Sequence, residues 1–245
     1  ILQHRKRTIP QSKGIYRNLK EEAVYGVFIT FEGIEGAGKS TQAKMLFQAL
    51  SEEGLPCLLT NEPGGTPVGD AVRELLADTR FKDMSPLTEL FLFSASRAQH
   101  VENVIRPSLE EGKIVICDRF ADASVAYQGF GRKLPLTLVQ DTNLKASWNV
   151  KPDITFFLDV EPAKGLKRIQ NRIIELEIPA DRIEKENLEF FERVREGYLY
   201  ISREEPYRYK VIDGSLGVEE LHKIILDVVN KDLTKRKFRK NLLFG

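Results

Sequence analysis

Apolar and polar positions fall into blocks whose period changes along the chain. Val27-Phe28-Ile29-Thr30-Phe31 is a short β-branched and aromatic run, the mark of a buried strand, and Thr41 to Leu50 after it reads as a helix. Leu55 to Thr60, Lys113 to Asp118, Asp153 to Asp159 and Tyr209 to Asp213 repeat the strand signal. Between them, Thr66 to Leu76 and Ser85 to Glu110 carry helical periodicity, the second with Leu87, Leu90, Phe91, Phe93 and Ala95 on its apolar positions. A helix pair interrupted at Ile178-Pro179-Ala180-Asp181 fills 163–198, and a terminal helix is expected from Gly217 to about Asp232. Strands alternating with helices at this spacing predict an α/β fold: a central, mainly parallel five-stranded sheet flanked by helices through right-handed crossovers.

The turn between the first strand and the first helix narrows this to the three-layer P-loop NTPase type. It reads Gly33-Ile34-Glu35-Gly36-Ala37-Gly38-Lys39-Ser40, a full G-x-x-x-x-G-K-[ST] in its strand-loop-helix setting. Successive backbone N–H groups and a helix N-terminus form an anion cradle, and glycines let that backbone approach a polyphosphate. Positions 33 to 41, through Thr41, are therefore expected to hold the nucleotide. Lys39 would reach its β- and γ-phosphates, and the Ser40 hydroxyl would hold Mg²⁺.

Bulk composition removes several function classes. The 245 residues are 42% hydrophobic, enough for one sizeable domain, and a net charge of +1 gives no electrostatic reason to expect nucleic acid or an anionic membrane. Cys57 and Cys117 sit in strand-like runs without a C-x-x-C partner, so buried free thiols in a reducing compartment are expected. No apolar run is long enough for a membrane span and no secretory signal core is present, which points to a soluble protein of the cytoplasm. The expected organisation is a basic extension at 1–22, one kinase-like domain at 23–232 and a basic tail at 233–245.

Further chemistry sits where strands end. Asn61-Glu62-Pro63-Gly64-Gly65-Thr66 is a sharp loop at the carboxyl end of the second strand, the edge where open α/β sheets bind ligands. Asp118 ends the third strand, where these folds keep a carboxylate behind Mg²⁺, and the forked Arg119 beside it suits a phosphate. Phe93 and Arg97, four apart, share a helix face; such a pair can stack a base and bond its edge, or can simply be core plus surface charge. The arginine-laden helix pair fits a lid over the phosphates, spanning about 163–187, and equally a solvated hairpin.

Taken together, FEGIEGAGKSTQ at 31–42, EPGGT at 62–66, LFLFSASR at 90–97, DRFADASVAYQG at 118–129, PDITFFLD at 152–159 and DRIEKENLEFFERVREGYL at 181–199 resemble thymidylate kinases of the bacterial type. The resemblance implies transfer of the γ-phosphoryl of ATP to dTMP, with Mg²⁺ as cofactor and a homodimer as assembly. It places thymine on Phe93 and Arg97, base and sugar near Ser124, Tyr127 and Gln128, and Glu62 in the substrate site. It puts the acceptor phosphate on Arg119 and Arg73, Glu35 near acceptor and metal, and Asp118 behind the magnesium. In this family a P-loop arginine and a lid arginine substitute for each other; Gly36 occupies the P-loop position, so Arg172, or failing it Arg168, would supply the catalytic charge. Asn61 and Ala123 depart from the usual arginine and serine.

Other readings remain open from the residues. A deoxynucleoside kinase on the same scaffold would need a carboxylate base, for which Glu62 could serve. A GTP-binding switch would need N-K-x-D, and Asn143-Leu144-Lys145-Ala146 lacks the acid. A nucleic-acid module is suggested only by the two basic ends.

Overall fold

The strands are β1 (Val27–Glu32), β2 (Cys57–Asn61), β3 (Ile114–Asp118), β4 (Ile154–Asp159) and β5 (Tyr209–Asp213). The computed structural model describes residues 26–177 and 179–244, and in it the five strands form one sheet in the order β2-β3-β1-β4-β5. Every neighbouring pair is parallel, so all five carboxyl ends lie along one edge. The basic segment 1–22 lies outside the described residues.

Helices α1 (Lys39–Glu52), α2 (Pro67–Ala77), α3 (Pro86–His100), α4 (Arg106–Glu110), α5 (Ala121–Ser124), α6 (Leu136–Ala146), α7 (Pro162–Leu176), α8 (Leu188–Glu204) and α9 (Val218–Phe244) make the connections. A parallel sheet covered on both faces needs strands apolar on both sides, and β1 is buried at every position. Val27, Ile29 and Phe31 face the larger core, with Leu46 of α1, Val194 of α8 and Ile225 of α9. Phe28 faces a smaller core with Val101, Val115 and Phe120, its ring edge-on to Phe120 at 4.9 Å. The edge strand β2 is only half-buried, which is why Cys57 is partly exposed while Cys117, on the inner β3, is buried.

Three elements depart from the sequence reading. The helix expected over 85–110 runs its length but is interrupted by a π-helical turn at Val101–Ile105. On α3 only Leu90 among the large apolar residues named is fully buried; Leu87 and Phe91, one turn apart, face outward at 40% and 53% exposure. Helix α6 was not among the expected elements, and its apolar positions are split between core and solvent: Val139 is buried while Leu138 and Leu144 stay exposed. The terminal helix passes residue 232 and continues to Phe244, since no Pro or Gly interrupts 218–244 and Arg236 bridges Asp232 at 2.5 Å and Asp153 at 2.9 Å.

Candidate active site

The carboxyl edge of β1, β2 and β3 carries the site, because their ends are level: Phe31 and Asn61 both pair with Asp118 in the ladder. From β1 the chain turns through the P-loop into α1, whose N-cap Gly38 is left-handed at φ 95° and gives no side-chain cap, leaving the first N–H groups to a ligand. Gly36 is held at φ 72° against α7; a Cβ there would stand 2.5 Å from the Gly165 carbonyl oxygen. An arginine at position 36 could not be seated against this backbone without moving α7.

Lys39 Nζ donates to the Ile34 carbonyl at 2.7 Å. Burial, helped by the neighbouring Arg119, pulls its pKa down to about 8 against the opposing pull of Asp118 and Glu35. Ser40 Oγ donates to Asp118 Oδ2, and the other Asp118 oxygen, Oδ1, is buried without a partner. A hydroxyl beside a carboxylate with an unused lone pair is an oxygen donor set that suits a hard divalent cation such as Mg²⁺. Among the described residues no group of three or more His, Cys, Asp or Glu side chains could hold a metal, so the remaining ligands would be phosphate and water.

Arg119 leaves β3 at φ 71°, a left-handed conformation that a non-glycine residue adopts only under constraint. Its backbone N–H is fixed on the Phe31 carbonyl at 3.0 Å, and its guanidinium is engaged as well: Nη2 donates to Glu35 Oε1 at 2.6 Å and Tyr127 Oη at 3.1 Å, and Nη1 reaches Tyr198 Oη at 3.4 Å. Tyr127 donates to the second Glu35 oxygen at 2.5 Å. Below this layer, Glu32, which ends β1, accepts from the Phe120 N–H and from Tyr198 Oη, both at 2.8 Å.

Burial, reinforced by Asp122, raises the Glu32 pKa to about 8. The folded state then keeps a proton that the unfolded chain releases near its ordinary value of 4.5, so this group's stabilisation is full below 4.5 and is lost as pH rises through about 8. Glu32→Gln should flatten that slope. We expect its melting temperature to gain on wild type as pH rises from 4.5 to about 8, the window between the ordinary and the raised pKa; a wild-type–variant difference constant with pH in thermal unfolding would remove the assignment.

The other wall is built by α2, α3 and the π-helical segment Val125–Gly131, which turns Tyr127 and Gln128 inward. Phe93, Ser124 and Gln128 line the cleft. Arg97 does not; it lies behind that wall at 1% exposure, with Nε on Glu62 at 2.8 Å, Nη1 on Asn143 at 2.7 Å, and Nη2 on Ser124 Oγ and the Phe120 carbonyl. One Nη1 hydrogen has no partner among the described residues. Glu62 accepts from Arg97 and sits 3.1 Å from His100 Nδ1, so both its oxygens are engaged and it is poorly placed to act as a free base. Asn143, read as a fragment of a guanine signature, instead ties Arg97 to the Ala121 carbonyl.

Within 163–187, Arg168 Nη1 donates at 3.1 Å to the carbonyls of Gly36 and Gly214, pinning α7 to the P-loop. Arg172 ion-pairs with Glu184, which in turn exchanges bonds with Asp181. Both arginines line the same cleft of about 510 Å³ as Glu35, Lys39, Ser40, Thr41, Arg73 and Asp118. Gly33, Ile34 and Ala37 are absent from its lining and form the inner side of the turn, where Ile34 and Ala37 are buried. Asn61, on the rim, spends its amide on the Pro63 carbonyl at 3.0 Å.

Sequence reasoning missed Glu32, Tyr198, His100 and Asn143, which touch the site residues from behind. Their positions were inside strands or helices, and only the packing reveals what they support.

A family model described as "Thymidylate kinase" matches residues 31–225. The chain is 46% identical over 210 residues to the thymidylate kinase of Symbiobacterium thermophilum, covering 86% of this chain and 95% of that one. With the thymidylate kinase of Desulfosudis oleivorans it shares 52% identity over 190 residues, 77% of this chain and 89% of the relative. Among solved structures, thymidylate kinase from Ehrlichia chaffeensis superposes with a TM-score of 0.65 at 36% identity, covering 84% of this chain and 99% of that one. With the P-loop, the carboxylate behind Ser40 and the aromatic wall opposite it all in one cleft, this chain belongs to the thymidylate kinase family.

Proposed function

We propose that the protein transfers the γ-phosphoryl group of ATP to the 5′-phosphate of dTMP, forming dTDP and ADP, and that it does so in the cytoplasm. The observation that carries this reading is a single cleft with a polyphosphate cradle at one end and Phe93 with Gln128 at the other. No helix among the described residues is long and apolar enough to cross a membrane.

In this reaction an oxygen of the dTMP phosphate forms a bond to Pγ while the bond from Pγ to the bridging oxygen breaks and its electron pair leaves on ADP. A phosphomonoester's second pKa is about 6, so the attacking oxygen is already anionic and no side chain need take its proton. What remains is to bring two anions together and neutralise the charge between them. The P-loop amides and Lys39 would hold the triphosphate, Arg119 and Arg73 the acceptor phosphate, and Arg172 the equatorial oxygens of the transferring group. Phe93 would stack on the thymine, and the Tyr127 ring would occupy the space a ribose 2′-hydroxyl needs. Ser40, with Asp118 behind it and Glu35 nearby, would hold Mg²⁺, which would supply charge neutralisation of the phosphates. The segment 163–187 serves as lid, with Arg168 as its fastening to the P-loop.

A panel of nucleoside monophosphates with ATP and Mg²⁺, read by ADP release and with thymidine included, tests the reading. ADP release with dTMP is expected; a protein that leaves dTMP untouched but phosphorylates thymidine would be a nucleoside kinase instead.

The assembly we propose is a homodimer. Leu87 and Phe91 on α3, with Leu75 on α2 and Leu138 on α6, expose large apolar side chains on neighbouring helices. Sedimentation should give twice the chain mass, and Phe91→Glu should shift it towards the monomer; a wild-type monomer at micromolar concentration would end this proposal.

A further inference from the structure

Glu89, on α3, is a carboxylate sealed from solvent at 0% exposure and surrounded by donors. Gln128 Nε2 reaches its Oε1 at 2.9 Å, Arg132 Nε and Nη2 reach its two oxygens at 3.1 and 3.0 Å, and Arg182 Nη1 reaches Oε2 at 2.6 Å. Burial acts to raise its pKa, but the bonds and charges from Arg132, with Gln128 and Arg182, outweigh it and hold the carboxyl below its usual range.

An ionised carboxylate only accepts hydrogen bonds, so the end of the Gln128 amide that meets it must be the NH₂. Gln128 lines the nucleotide cleft, and its Oε1 has no protein partner among the described residues. The cleft therefore receives an acceptor from Gln128. An acceptor complements the N3–H that thymine and uracil both present. Cytosine presents the reverse, a lone pair at N3 beside a 4-amino group.

We propose that Glu89 is a positioning and specificity-determining residue: by accepting from Gln128 Nε2 it locks the amide with Oε1 towards the cleft and so excludes cytosine nucleotides. The inference rests on the dTMP kinase reading. Glu89 touches no substrate, and Arg132 and Arg182, reaching it from the end of the π-helical segment and from the root of the lid, keep it charged. Arg182 also donates to the Leu76 carbonyl at 2.9 Å, which fixes that root against α2.

Glu89→Gln keeps the shape but can donate as well as accept, so the Gln128 amide is free to turn over. In competition assays against dTMP, we expect the preference for dTMP over dCMP to fall roughly tenfold or more, about the worth of one reversed hydrogen bond. The loss should appear in KM for dTMP, with KM for ATP unchanged and the ratio of dTMP to dUMP unchanged, since those two share the edge being read. Glu89→Asp keeps an acceptor-only group and should retain the preference even where stability drops. A folded Glu89→Gln that discriminates like wild type, or an equal loss in both variants, overturns the proposal. Should Glu89→Gln not fold, side-chain ¹⁵N NMR of the wild-type enzyme decides: Gln128 NH₂ protons unmoved by dTMP support the locked amide, and protons that shift because they bond the base overturn it. Absence of dTMP phosphorylation by wild type would instead remove the underlying function.

Discussion

Alanine at Arg172 is expected to lower kcat by roughly 10³ while changing KM for dTMP only a few-fold, the signature of an interaction made in the transition state. The expectation follows from where positive charge can reach the transferring phosphoryl. Gly36 leaves the P-loop without a side chain, and the Gly165 carbonyl 2.5 Å from its would-be Cβ keeps that position small. Of the two α7 arginines in the cleft, Arg168 is committed to the carbonyls of Gly36 and Gly214. Among the described residues Arg172 is held only by Glu184, at 44% side-chain exposure, and a triphosphate could draw it from that carboxylate. Arg168→Ala should therefore act mainly on KM for ATP by loosening the lid's fastening. Steady-state kinetics of both variants decides: an Arg172→Ala enzyme with wild-type kcat, or a larger kcat loss in Arg168→Ala, would transfer the role.

The cradle was legible because its chemistry is local. A glycine run between a β-branched strand and a helix has one geometry, and the structure gives it. The strand order was not legible, since parallel pairing joins residues far apart, as Phe31 with Asp118 and with Phe156. Helical spacing put Phe93 and Arg97 on one face, and the face is shared, but periodicity cannot tell a lining residue from one behind the wall. Arg97 went behind because Glu62, Asn143 and Ser124 converge on it from three other elements. The same limit hid Glu89, which in the sequence is one acidic residue among many on a helix. Burial with two arginines gives it a different chemistry, and no window of local sequence contains Arg132 or Arg182 together with it. Leu87 and Phe91 show the converse: apolar and helical in period, yet exposed, because periodicity marks an apolar face without saying whether the rest of the fold covers it.

Substitutions at Arg119 should separate chemistry from backbone strain. Arg119→Ala and Arg119→Gly are both expected to lose roughly 10³ in kcat/KM for dTMP, because each removes the fork that would hold the acceptor phosphate and leaves Glu35 and Tyr127 without their cation. Arg119→Lys should recover little of it. An ammonium cannot span Glu35 Oε1, Tyr127 Oη and Tyr198 Oη in one plane, as the guanidinium does. Stability should rank differently from activity. At φ 71° an alanine keeps the steric penalty of the left-handed region, whereas glycine has none, so Arg119→Gly should be the more stable of the two by about 1 kcal/mol, the reverse of the usual order. Denaturant unfolding measures this directly. Glycine less stable than alanine would mean that the turn relaxes once the guanidinium contacts are gone, so that they and not the surrounding backbone impose it. A lysine variant with most of the wild-type rate would mean that a point charge, not a planar fork, is what the acceptor phosphate needs.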